Sequence, residues 1–367
     1  MKKNVKVGCI GVGDRGRWLF ECLLMSKGVE ARAICDISKE KVENCKEWLC
    51  NKKGYSENDI LTFTDYKEML KSDVEAIIVA TDVFTHADIA CDCISSGKHV
   101  LCEIPNMATI EEAKKLLKTC KANPDVKFMV AENCCYWGFI NTWKKMYENG
   151  EFGEVTMAEG DYIHMADYVT AENYELNWRS YLVTLSYLTH ELGPLLHIMD
   201  DTCTEVSGFF PDNNPYEKVK PAAADGVAII KTKKGCLIKI SAVHNSYYNE
   251  CAHNYALYGT NGTIINERHG KYEHRGSYAD LKSVPYTQEE IFIPTYTGYP
   301  NVMGYGHGGS DTKMMDDFVD CIVNDKKPTF DVEFGVQISL PGILARESGL
   351  NGNIPLKMPT IEELLAD

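Results

Sequence analysis

VKVGCIGVGDRG, residues 5–16, is an apolar run that closes on glycines and opens onto a helix-patterned stretch. Gly11-Val12-Gly13-Asp14-Arg15-Gly16 has the spacing G-x-G-x-x-G. Its place between a strand and a helix is the context in which that spacing carries meaning. Gly11 permits a tight turn, Gly13 lets the backbone approach a pyrophosphate, and Gly16 lets the helix pack closely on the strand. The helix N-terminus then faces the phosphates. Asp36 follows Gly16 by 20 residues, at the end of the apolar run VEARAICDI (29–37). A carboxylate there accepts from the ribose hydroxyls and repels a 2′-phosphate, so NAD is the expected cofactor rather than NADP. Ligands of such sheets gather at the carboxyl ends of strands. Asp14 and Arg15 in the turn, with Thr81, His86, Glu103, Pro105 and Asn133 at or just beyond later strand ends, complete the expected cofactor-side set.

Outward from this turn, the first 135 residues alternate. Apolar runs at 74–82, 99–105 and 126–133 are separated by helix-patterned stretches at 86–97 and 110–122. Strands apolar on both faces that alternate with helices signal a parallel sheet covered on both sides. The pattern then changes. GVAIIKTKKGCLIKISAVHN (226–245) reads as two strands around a Lys-Lys-Gly turn, and NYALYGTNGTIINER (254–268) as two more around Asn261-Gly262. Consecutive hairpins make an antiparallel sheet. The expected fold class is α/β: an N-terminal doubly wound Rossmann domain (1–135), then a C-terminal α+β domain (136–367) with an open, largely antiparallel sheet. C-terminal segments are expected to pack back on the first domain. The segment 311–324 reads as a helix.

Net charge is −15, which argues against nucleic acid and against anionic membrane surfaces. No apolar run approaches the ~20 residues of a membrane span. No leader is read before the first strand, so a cytoplasmic location is expected. The 15 cysteines are odd in number, scattered and without a Cys-x-x-Cys pair, so reduced, mostly structural thiols are expected. No standard metal-ligand spacing is present, and no metal is expected.

The most informative stretch of the second half is YLTHELGPLLHIMD (187–200). Gly193-Pro194 puts His190 at or just before a helix N-terminus, where the dipole favours a neutral imidazole able to act as a base. His197, seven residues on, shares that helix face and reads as a buried, satisfied histidine.

These features resemble the Gfo/Idh/MocA oxidoreductases, in which a Rossmann domain precedes an open-sheet domain that holds a sugar or polyol. That family usually has Glu-Lys-Pro where this chain has Glu103-Ile104-Pro105. An aliphatic residue at that point resembles the NAD-dependent glycosidases of glycoside hydrolase family 109. The likeness runs through Glu132-Asn133-Cys134-Cys135-Tyr136, Gly153-Glu154, Glu159 to His164, Trp178-Arg179, Tyr187 to Pro194, and His307 to Asp311. One departure is Leu188, where the motif has proline before Thr-His. The resemblance implies His190 as catalytic acid/base, assisted by Tyr162 and Tyr187. It implies Tyr136, His164, Trp178, Arg179 and His307 as substrate-side residues, and a small-molecule sugar or glycoside as substrate. The implied reaction oxidises carbon 3 of a glycoside, eliminates the aglycone, adds water and recycles NAD. Two alternatives stay open: a net NAD-dependent dehydrogenase of a sugar, glycoside or cyclitol, and a non-catalytic NAD-binding sensor. A homo-oligomer is expected by analogy.

Overall fold

The computed structural model describes residues 4–169, 174–246, 252–266, 273–277, 288–292 and 309–366. The chain begins with β1 (Val5–Ile10), α1 (Asp14–Leu23), β2 (Val29–Cys35), α2 (Lys39–Lys53), β3 (Leu61–Phe63) and α3 (Tyr66–Leu70). It continues through β4 (Ala76–Val79), α4 (Val83–Ser95), β5 (His99–Cys102), α5 (Ile110–Ala122) and β6 (Phe128–Val130). A 3-10 turn (Asn133–Tyr136) leads into α6 (Gly138–Glu148), β7 (Val155–Ile163), α7 (Trp178–Tyr181) and α8 (Thr189–Met199). Then come β8 (Cys203–Phe209), β9 (Asp225–Thr232), β10 (Leu237–Val243), β11 (Ala252–Gly259), β12 (Gly262–Asn266), β13 (Glu273–Ser277) and β14 (Gln288–Phe292). The C-terminal part holds α9 (Ser310–Val323), α10 (Val332–Leu350), β15 (Leu356–Lys357) and α11 (Ile361–Ala366).

These elements form two compact units. The first runs through Glu132 and includes α9, the start of α10 through Val336, and α11. The second begins at Asn133 and includes Gln337–Thr360.

The first unit is a six-stranded sheet of order β3-β2-β1-β4-β5-β6, with every pair parallel. This is the doubly wound order, and it reverses direction between β1 and β4. All four residues of β4 are buried, as a strand covered on both faces requires. Helix starts are written locally: Ser38 caps α2, Asp82 caps α4 and Thr109 caps α5. Helix α1 has Gly13 at its N-cap position and so no side-chain cap. Helix α9 packs on α1, and α11 on α5.

The second unit is built on a nine-stranded sheet, β14-β13-β12-β11-β7-β10-β9-β8-β15. Its one parallel pair is β7 with β10; the other pairs are antiparallel. Both expected hairpins are present, as β9–β10 and β11–β12. Strand alternation sorts β7 by face. Ala158 and Gly160 are buried beside Ile238, Ile240 and Leu257, while Glu159 pairs with Lys239 at 2.8 Å on the other face. Helix α8 lies on the buried face so closely that a Cβ on Gly160 would come 2.8 Å from Glu191 Cβ. Every described cysteine is a free thiol, and burial pushes those of Cys9 and Cys102 well above their ordinary range.

Candidate active site

The β1–α1 turn sits at the point where the first sheet's strand order reverses. Gly11 has φ +87°, and a Cβ there would lie 2.4 Å from the Ala80 carbonyl oxygen. A Cβ on Gly16 would meet the Gly11 carbonyl oxygen at 1.8 Å. The fold itself therefore demands these two glycines. Gly13 is different: a Cβ there would meet nothing nearer than Lys41 Nζ at 3.9 Å. What the third position keeps clear is open space in front of an uncapped helix N-terminus. That is the cradle a pyrophosphate fills. Asp36 completes it. Its Oδ2 accepts from Val12 N at 3.0 Å and its Oδ1 from Ser38 N at 2.9 Å, which fixes a buried carboxylate beside the turn. The residues present thus fit an NAD with an unphosphorylated ribose.

At the neighbouring strand ends, His86 is buried, with Nδ1 2.9 Å from the Pro105 carbonyl and Nε2 3.1 Å from the Thr81 carbonyl. The Ile104–Pro105 peptide is cis. Ile104 is buried, and its N–H donates to Glu103 Oε2 at 2.9 Å. Glu103 Oε1 accepts from Arg15 Nε at 2.6 Å. Arg15 also donates to Asp311, as does Trp18 Nε1 at 2.8 Å. Burial would lower the Arg15 pKa, but the charges of Glu103 and Asp311 outweigh it and hold the guanidinium above its ordinary value. Arg15 thus bridges Glu103 and Asp311, the second of which no local motif marks as its partner. Asp14 is exposed at the start of α1.

In the second unit, β7, α8 and β11 bring rings together. His190 is the second residue of α8. Pro194 has no N–H to give the His190 carbonyl; the Tyr255 hydroxyl donates to that oxygen instead, at 2.7 Å. The imidazole Nδ1 lies 3.3 Å from Cys134 Sγ. Tyr162 packs edge-on to His190 with centroids 5.8 Å apart and lies near-parallel to Tyr187 at 6.2 Å, while Tyr187 meets His190 at 5.4 Å. His164 packs on Tyr162 at 5.8 Å. The three residues expected to be catalytic and one expected substrate-side residue therefore share one cluster.

Two further histidines belong to it. His253 sits opposite Tyr162 in the β11–β7 register and stacks on its ring at 4.7 Å and 14°. Its Nδ1 is 2.7 Å from Oε1 of Glu191, a fully buried carboxylate. His244, just past β10, packs on Tyr162 at 5.2 Å. Burial, then the charges of His164, Lys220 and Arg179, push its imidazole down to about 3. Sequence alternation holds part of this signal: in AHNYALYG, His253 and Tyr255 are two apart and must share a strand face. The Glu191 pairing has no such local signature.

Three other expected substrate-side residues lie on the 3-10 turn and on α7. Trp178 and Arg179 pair with each other, guanidinium over indole at 4.4 Å, on the short α7. Their carbonyl neighbourhood is tied down by the buried Lys220, whose Nζ donates to the Arg179 carbonyl at 2.6 Å and to that of Leu182. Tyr136 is half-buried in the 3-10 turn that also carries Asn133 and Cys134. His307 lies outside the described residues. His197 has the Lys144 ammonium bonded to its carbonyl at 2.7 Å; burial and that charge push its imidazole down to about 4.

Comparison with known proteins agrees with the two-unit fold. Residues 5–132 match the model of an oxidoreductase family with an NAD-binding Rossmann fold, and residues 144–358 match that family's C-terminal alpha/beta domain. The chain belongs to the Gfo/Idh/MocA oxidoreductase family. Its cofactor is NAD. It is 29% identical to a glycosyl hydrolase family 109 protein of Solibacter usitatus, over 97% of this chain and 88% of that one. It is 28% identical to an alpha-N-acetylgalactosaminidase of Shewanella oneidensis, over 97% and 84%. Among solved structures, an oxidoreductase domain protein from Kribbella flavida (TM-score 0.82, 20% identity) covers 97% of this chain and 100% of its own. A levoglucosan dehydrogenase in complex with NADH (TM-score 0.82, 19% identity) covers 98% and 100%. At such identity these structures speak for the shared fold alone. Among the described residues, no helix is long and apolar enough to cross a membrane.

Proposed function

We propose that this protein is an NAD-dependent glycoside-processing enzyme that cleaves its substrate by elimination and hydration and returns NAD unchanged. The observation that carries this reading is the contact of His190 with Tyr162 and Tyr187. Buried Ile104, standing where the family usually has lysine, adds support. The names of the glycosidase relatives suggest an N-acetylated hexosaminide as the first substrate to try.

Gly11, Gly13, the α1 N-terminus and Asp36 would hold the dinucleotide. When bound, it supplies hydride acceptance and return at a sugar carbon. Tyr162 and Tyr187 hold the hydroxyl of carbon 3 and pass its proton. With carbon 3 at the ketone level, the hydrogen on carbon 2 is acidic, and His190 removes it. The electron pair forms the carbon 1–carbon 2 double bond as the bond to the aglycone oxygen breaks. Water adds at carbon 1, and His190 gives the proton back to carbon 2. A base placed by its backbone, as His190 is by Tyr255, contributes roughly 10²–10⁴-fold to such a step.

Incubation with 4-nitrophenyl N-acetyl-α-galactosaminide and a panel of other nitrophenyl glycosides tests this. Phenol release without NADH build-up, with solvent deuterium appearing at carbon 2, is expected. Stoichiometric NADH would instead mean a net sugar dehydrogenase, and NAD binding without any turnover a sensor.

A further inference from the structure

The elimination just described breaks two bonds, and His190 serves only one of them. The proton from carbon 2 goes to His190; the departing aglycone oxygen needs a proton from elsewhere. We propose that His253, positioned by Glu191, is the second proton-transfer residue, and that it protonates the leaving oxygen. This assignment rests on the function proposed above.

The geometry is that of an oriented imidazole. Glu191 is fully buried on α8, and its Oε1 lies 2.7 Å from His253 Nδ1. A carboxylate accepts and cannot donate when ionised. It therefore fixes the proton on Nδ1 and leaves Nε2 as the ring position that exchanges protons, the logic by which a third group orients a catalytic base. The His253 ring is placed among the groups already assigned to chemistry. It stacks on Tyr162 at 4.7 Å, meets His190 at 5.6 Å and 88°, and is backed by Trp137 at 5.2 Å. Strand register explains this placement, because His253 stands directly across from Tyr162 in the β11–β7 ladder. Gly160 explains the Glu191 placement: without its bare Cα, α8 could not come close enough for the carboxylate to reach across. Glu191 acts through His253 and is a positioning residue.

The step balances. The carbon 2–hydrogen bond gives its proton to His190 and its electrons to the new double bond. The carbon 1–oxygen bond breaks and its electron pair stays on the aglycone oxygen; His253 enters this step as the imidazolium paired with Glu191, and its Nε2 proton joins that oxygen. Addition of water then returns a proton to His253.

General-acid assistance matters most where the leaving group is a poor one. The test compares the NAD-loaded full chain acting on 4-nitrophenyl and on methyl N-acetyl-α-galactosaminide. His253→Asn is expected to lose about 100-fold or more on the methyl glycoside but less than about 5-fold on the nitrophenyl one. Glu191→Gln, which keeps the buried volume, is expected to follow the same pattern more weakly. His190→Asn is expected to lose on both alike. Near-UV circular dichroism checks that each variant is folded. Equal losses on the two glycosides for both His253→Asn and Glu191→Gln overturn the assignment while leaving the glycosidase reading in place. A wild-type enzyme that reduces NAD stoichiometrically and releases neither aglycone overturns that reading and this assignment with it.

Discussion

The Tyr255 hydroxyl donates a 2.7 Å hydrogen bond to the carbonyl oxygen of His190, the acceptor that Pro194 leaves without its helical donor. A proline four residues after a histidine near a helix start is thus more than a stop signal. It opens a backbone acceptor, and a buried tyrosine from β11 uses it to hold the histidine's backbone. Tyr255→Phe keeps the packing against Trp137 and Phe139 and removes only this donor. A lost buried hydrogen bond costs about 1–3 kcal/mol. Urea unfolding should show a loss of that size, and the loss in kcat should exceed the change in KM. Full activity in a destabilised Tyr255→Phe would mean that the bond serves folding alone.

The glycines of the first turn should separate by experiment. Gly16→Ala puts a Cβ 1.8 Å from the Gly11 carbonyl oxygen, and the helix must move away from the strand. A fall in Tm is expected with or without cofactor. Gly13→Ala meets no protein atom closer than 3.9 Å. Its Tm without cofactor should match the wild type, whereas NAD affinity, read by calorimetry, should drop at least about ten-fold because the methyl group enters the pyrophosphate's space. Unchanged NAD affinity in Gly13→Ala would show that the cradle lies elsewhere.

The contrast between these glycines also shows what a sequence can disclose. The Rossmann unit was legible because its rules are local: G-x-G-x-x-G at a strand end, Asp36 at the end of the next strand, apolar strands between capped helices. The hairpins β9–β10 and β11–β12 were legible for the same reason, through their turns. Strands β8 and β15 and helix α10 gave no comparable punctuation, and a parallel β7–β10 pair cannot be read from hairpins. The candidate site divides likewise. His190, Tyr162 and Tyr187 stood in recognisable stretches. Glu191, His253, His244 and Tyr255 join them only through sheet register and the closeness of α8 to Gly160, which are relations between residues as far apart in the chain as Tyr162 and His253. Asp311 shows the same limit from the other side, meeting Arg15 across 296 residues.

Acid should unfold the protein partly through two half-buried histidines, His197 and His244. Burial, with the Lys144 charge, pushes His197 down to about 4 from an ordinary 6.5, and burial pushes His244 down to about 3. Each folded pKa is depressed, so each ring stays neutral in the folded chain while the unfolded chain takes protons near the ordinary value. Stability from this source is present in full above 6.5. It is lost as pH falls through that value toward 4 for His197 and toward 3 for His244. His197→Gln should flatten the dependence of Tm on pH between about 6.5 and 4 and leave it unchanged above 7. The Lys144 bond to the residue 197 carbonyl is a backbone contact and survives the change. A Tm that falls as steeply in the variant as in the wild type would refute burial as the cause.

Cys134 Sγ lies 3.3 Å from His190 Nδ1 and 3.6 Å from the Asn133 side-chain oxygen. A thiol carries one proton. Given to Asn133, it leaves sulfur to accept from Nδ1–H, so that the His190 lone pair sits on Nε2, the arrangement a base at carbon 2 requires. Given to Nδ1, it would make Nε2 the donor. Asn133 is fixed in the same 3-10 turn, which favours the first arrangement. Cys134→Ala removes the sulfur and should lower kcat about ten-fold with KM little changed, since tautomer selection is only part of what a general base contributes. Cys134→Ser, whose hydroxyl can donate and accept in the same place, should recover most of that loss. Nitrogen-15 spectra of histidine-labelled protein, with His190→Asn to identify the resonances, should show His190 protonated at Nδ1 in the wild type and redistributed in Cys134→Ala. A wild-type His190 protonated at Nε2 instead would mean that the thiol sets the opposite tautomer, and the base at carbon 2 would have to be sought among the other rings of the cluster.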